Sequence, residues 1–110
     1  MRQLMLDELY QQDIDKVKDY LADRADLSAF GDLFWVDLPG ELLTGDQAGQ
    51  PKDHPFRFAV ELGETWVKFE LLVRSRENMR SPHNGYADRR QLDFILDFAD
   101  RMIEELGLMT

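Results

Sequence analysis

The chain has 110 residues, no cysteine, and 22 acidic against 13 basic residues, a formal net charge of −9. The length fits one domain able to bury a core without staples, and the missing cysteine excludes disulfides, thiolate metal sites and cysteine catalysis. The charge argues against generic binding to nucleic acid or anionic membrane, whose phosphates it would repel, and it allows a basic protein partner. The N-terminal apolar run Leu4-Met5-Leu6 is too short for a signal-peptide core, and no stretch nears the ~20 apolar residues of a membrane span. A reducing cytoplasm is the expected compartment.

Residues 4–25 read as an amphipathic helix, with Leu6, Tyr10, Ile14, Val17 and Leu21 recurring at helical spacing. Asp13 falls inside the apolar arc, so its carboxylate is expected at the wet edge or in a pair. Residues 32–38, Asp-Leu-Phe-Trp-Val-Asp-Leu, read as a first strand ended by Pro39-Gly40. Leu42-Leu43 suits a short strand or a helical turn. Residues 44–55, with two glycines and two prolines, read as a mobile polar loop.

Residues 56–76 alternate as a β-hairpin. A type II′ turn centred on Gly63-Glu64 is expected, because glycine supplies positive φ at its first central position. That register sets Val60 opposite Val67, Phe58 opposite Phe69 and Phe56 opposite Leu71 on one face, with Arg57 opposite Glu70 on the other. At Leu71-Leu72-Val73 both faces turn apolar, as in a strand central to the sheet.

The closing helix is expected over 89–106. Asp88 and Gln91 form a capping-box pattern at its start, and Gly107 followed by Leu108 suits a Schellman end. Leu92, Ile95, Leu96, Ala99, Met102, Ile103 and Leu106 form its stripe, which Phe94 and Phe98 widen to roughly 200° against the ≳100° of a one-sided helix. One sheet face cannot easily cover that arc. A homodimer interface at Phe94 and Phe98 is therefore expected, with packing inside one chain as the alternative.

Residues 74–90 hold Arg74, Arg76, Arg80, Arg89 and Arg90 against Glu77 and Asp88, a local positive excess in an acidic chain. This segment leads into a helix N-terminus and includes His83, Asn84 and Tyr86. Arg76, Arg80, His83, Arg89 and Arg90 are the candidate residues for a carboxylate, phosphate or acidic partner; intramolecular salt bridges are the competing reading. Neither His54 nor His83 has a metal-spaced partner, Ser28, Ser75 and Ser81 lack a nucleophile-elbow context, and no glycine-rich phosphate loop occurs. No catalytic residue, metal site or cofactor is assigned.

The expected fold is α+β, in the order α-β-β-β-α: an antiparallel three-stranded meander with both helices on one face, a fourth short strand at 41–44 being the runner-up. In acidity, lack of cysteine and element order the chain resembles bacterial secretion chaperones and related dimeric domains, which implies binding of a partner polypeptide without chemistry. No residue carries that likeness, so no site transfers. The expected function is a non-catalytic protein-interaction module acting as a homodimer. A small-anion-binding or enzymatic domain using the 74–90 segment is the first alternative. An acidic mimic of nucleic acid is the second.

Overall fold

The structure is a computed structural model that describes residues 2–29 and 31–109; Met1, Phe30 and Thr110 lie outside this description. Its elements run β1 (Gln3–Leu6), α1 (Gln11–Arg24), β2 (Asp26–Leu27), β3 (Leu33–Asp37), α2 (Gly45–Ala48), β4 (Phe56–Leu62), β5 (Val67–Glu70), β6 (Leu72–Ser75), β7 (Gly85–Tyr86) and α3 (Arg89–Leu106). The α+β class holds, but the three-stranded meander does not: an antiparallel sheet runs β1-β5-β4-β3-β2, with β6 paired to both β4 and β7. No helix of the described residues is long and apolar enough to cross a membrane.

The expected N-terminal helix is divided. Its first part is a strand, and Glu8 (φ 57°) turns the chain before α1 begins. Leu4 and Leu6 alternate with Met5, and two residues of such a pattern serve either period. Pairing with β5 decides the matter, setting Leu4 opposite Phe69 and Leu6 opposite Val67. Asp13 ends up in the first turn of α1, where its Oδ2 accepts the Tyr10 N–H at 3.0 Å. An acid there also complements the helix dipole.

The hairpin register is corrected by two residues. Val60 lies opposite Phe69 and Leu62 opposite Val67, while Glu61 faces Lys68 and pairs with it at 3.0 Å. Arg57 therefore does not meet Glu70. A two-residue shift leaves every side chain on its original face, so the alternation of apolar residues could not detect it. The turn tip is Glu64-Thr65, closed by the Gly63 N–H donating to the Trp66 carbonyl at 2.8 Å. Gly63 does not have positive φ. Its lack of a side chain serves close approach: an added Cβ would sit 2.1 Å from the Trp66 ring.

The second hairpin strand breaks at Leu71. Between the pairs Val60–Phe69 and Arg57–Arg74, Phe58 and Ala59 of β4 face Glu70, Leu71, Leu72 and Val73. Two extra residues make a special bulge, larger than the usual one-residue insertion, that bends the strand. Leu71 donates its N–H to the Arg2 carbonyl, and its own carbonyl accepts the Ala87 N–H. The bulge is thus where the outer edge passes from β1 to β7.

Residues 44–55, expected as a mobile polar loop, hold helical turns tied down by buried amides, and the runner-up strand at 41–44 does not form. A 3-10 turn spans Gly40–Leu42, α2 follows, and a second 3-10 turn spans Pro51–Asp53. Buried Gln91 of α3 donates from Nε2 to the Leu42 carbonyl (3.1 Å) and to Gln47 Oε1 (2.8 Å). Gln47 donates to the His83 carbonyl at 3.0 Å. Buried Asp53 accepts from Ser81 Oγ at 2.6 Å, and its carbonyl accepts from Ser75 Oγ at 2.5 Å. These bonds join residues 22 to 49 positions apart in sequence, beyond the reach of local pattern.

The core lies between the sheet and the two long helices. Phe34, Val36, Phe58, Val60, Phe69 and Val73 from the strands form one buried cluster with Val17 and Leu21 of α1 and Ile95, Ala99 and Met102 of α3. The ends of α3 match expectation. Asp88 and Gln91 exchange backbone and side-chain hydrogen bonds, and Gly107 adopts the left-handed conformation with the Leu108 N–H donating to the Ile103 carbonyl at 3.0 Å.

Candidate anion-binding concavity

Strand alternation places Trp35 and Asp37 of β3, Arg57 and Ala59 of β4 and Arg74 of β6 on the sheet face opposite the core. In register, Asp26 faces Trp35, Trp35 faces Ala59, and Arg57 faces Asp37 on one side and Arg74 on the other. At ~4.8 Å per strand this face spans about 14 Å from β2 to β6. A concavity of about 570 Å³ opens there, and its lining includes Asp26, Trp35, Arg57, Arg74, Arg76 and Met79.

Three guanidinium groups and one carboxylate line that space. The Arg57 guanidinium lies 4.0 Å from the Trp35 ring centroid, a cation–π contact between diagonal cross-strand neighbours. Arg74 bonds Glu70 at 3.2 Å, and Arg76 lies 3.6 Å from Glu77. Arg57 forms no ion pair among the described residues. The Nε atoms of both Arg57 and Arg74 are buried without a hydrogen-bond partner among the described residues. Like charges directly opposite on neighbouring strands repel, so the Arg57–Arg74 pair is an electrostatic cost to the sheet.

Burial and the neighbouring Arg76 and Asp26 also shift two groups of this face. Partial burial, followed by Arg76, holds the Arg57 guanidinium below its ordinary pKa, while Asp37 and Asp26 oppose the shift. Partial burial, reinforced by Asp26, raises the Asp37 carboxyl above its ordinary value against the pull of Arg76 and Arg57.

The candidate residues from the 74–90 segment are separated by the fold. Arg76 is in the concavity, and Arg57 and Arg74 join it there. Arg80 is exposed in the following loop, where its N–H donates to Asn78 Oδ1. The His83 carbonyl accepts from Gln47, so its backbone helps hold α2. Arg89 pairs with Asp93 one turn along α3, and Arg90 donates to the Glu41 carbonyl at 2.9 Å. Arg57 lies outside the segment in sequence and fits the polar phase of the β4 alternation, so no local signal sets it apart from Glu61 on the same face.

Phe94 and Phe98 pack within the protomer. Phe94 meets Phe58 edge to face at 6.3 Å, and Phe98 meets Tyr20, Phe58 and Phe69 at 6.1–6.4 Å. Both rings are half-buried and line a groove between α1 and α3 with Tyr20, Arg24, Asp97, Arg101 and Glu105. Among the described residues, no group of three or more His, Asp or Glu side chains could hold a metal ion. Comparison of the chain with protein-family models, curated proteins and solved structures finds no match.

Proposed function

We propose that this protein is a binding module whose recognition surface is the open sheet face, where Arg57, Arg74 and Arg76 hold an anionic ligand beside Trp35. The carrying observation is the pair of buried guanidinium Nε–H groups, at Arg57 and Arg74, that no described residue accepts. An oxyanion in the concavity gains charge-assisted hydrogen bonds from the guanidinium groups that line it and relieves the repulsion between two facing cations. The charge contrast supports the same reading, since a positive concavity in a chain of net −9 is a local attractor for anions. This reading takes up the anion-binding alternative in place of the protein-interaction expectation, and moves the site from the loop before α3 to the sheet.

The test is a titration of the protein with phosphate and with citrate, followed by two-dimensional NMR of the arginine Nε–H groups. Saturable shifts at Arg57 and Arg74 are expected. Each of Arg57→Gln and Arg74→Gln should weaken binding roughly 10- to 100-fold, the range for a charge-assisted bond of about 1.5–3 kcal/mol. Binding that survives unchanged in the double variant would place the anion elsewhere.

A further inference from the structure

The concavity contains more than charge. Trp35 is half-exposed on its floor, and Met79, 86% exposed, stands on its lining beyond the arginines. A thioether left in solvent beside a cationic cluster is an unpaired apolar surface, flexible enough to adapt to a ligand's shape. The volume, about 570 Å³, lies within the ~300–1,000 Å³ of small-molecule sites and far exceeds the space of a single oxyanion. Resting on the anion-binding reading above, we infer that the ligand is a small amphipathic anion: a carboxylate or phosphate head on Arg57 and Arg74, with an apolar body laid over Trp35 and Met79.

The arrangement divides affinity between two separable parts. The head contributes a constant set by the arginines. The body contributes in proportion to the apolar surface it removes from water, about three- to fourfold in affinity per methylene until the chain outgrows the cavity. Because Met79 is almost wholly exposed, changing it should not disturb folding.

The experiment is isothermal titration of the whole chain with straight-chain carboxylates of two to eight carbons, kept below micellar concentrations, and with the matching alkyl phosphates. Affinity should climb with chain length in the series whose head the arginines prefer, and that comparison identifies the head. Met79→Ser should flatten the climb, lowering the affinity of the long members more than that of acetate or methyl phosphate. Arg57→Gln should lower every member by the same factor and keep the slope. An affinity independent of chain length, or a slope untouched by Met79→Ser, would overturn this inference while leaving the anion site standing. No binding by any member, with phosphate and citrate also silent, would overturn both.

Discussion

Two residues show how a polar or small side chain is placed by neighbours far away in sequence. Asp37 faces Arg57 across the sheet, yet partial burial and the nearby Asp26 raise its carboxyl pKa above the ordinary value. A carboxyl raised on folding binds more protons folded than unfolded, so stability falls as pH rises from its unfolded to its folded pKa, and the cost persists above that window. Asp37→Asn should therefore raise the thermal midpoint at neutral pH. The gain over the parent protein should shrink on acidification toward the ordinary carboxylate pKa, and a gain independent of pH would show that the partly buried charge of Asp37 is not its source. Gly63 is constrained by space, since a Cβ would meet the Trp66 ring at 2.1 Å. Gly63→Ala should cost about 1–3 kcal/mol by overpacking and displace the Trp66 indole resonance in NMR spectra. The Trp66→Ala background should remove most of that cost. The glycine was legible as a turn residue from sequence alone, but its reason was not, because the ring that excludes a Cβ is positioned only once the hairpin closes.

At the scale of elements, α3 was the most legible and the hairpin the most instructive. The boundaries of α3 follow from Asp88, Gln91 and Gly107, whose side chains and backbone act within a few residues of themselves. Its broad apolar arc was equally plain, but its covering was not. Phe98 sits against Tyr20 of α1 and against Phe58 and Phe69 of the sheet, while both rings stay half-exposed along the groove between α1 and α3. Phe94→Ala/Phe98→Ala should thus lower stability by at least about 3 kcal/mol, since truncating one packed Phe alone costs about that much. The thermal transition measured by circular dichroism checks this: a folded, equally stable double variant of reduced hydrodynamic size would instead mean that the rings hold two copies together. The hairpin shows the limit of periodicity, which assigns faces but cannot separate registers two residues apart. The bulge at Leu71 lay beyond it too, because it is defined by which edge partners, β1 and β7, are available on either side.

At the scale of the molecule, the −9 charge acts against compactness while the arginines of the open face act against one another. Raising ionic strength from about 0.01 M to about 0.15 M shortens the screening length from roughly 30 Å to roughly 8 Å. Because self-repulsion of the acidic excess weakens, the thermal midpoint should rise with added sodium chloride. Anion binding in the concavity should weaken over the same range, as screening reduces its attraction. Parallel calorimetric melts and titrations would show the two trends diverge, and trends moving together would mean that the concavity holds its ligand without net charge attraction. The sequence by itself determined the α+β class, the limits of α3, a strand within 32–38 and the inward face of the hairpin, because helix caps, turn residues and side-chain alternation are local and repeat at fixed periods. Only the tertiary structure decided that residues 3–6 are a strand, that residues 39–55 are pinned by Gln47, Asp53 and Gln91, and that Arg57 stands between Trp35 and Arg74. Each of these depends on contacts between residues tens of positions apart, and chain closure over such distances is set by which surfaces pack together, a quantity no local window contains.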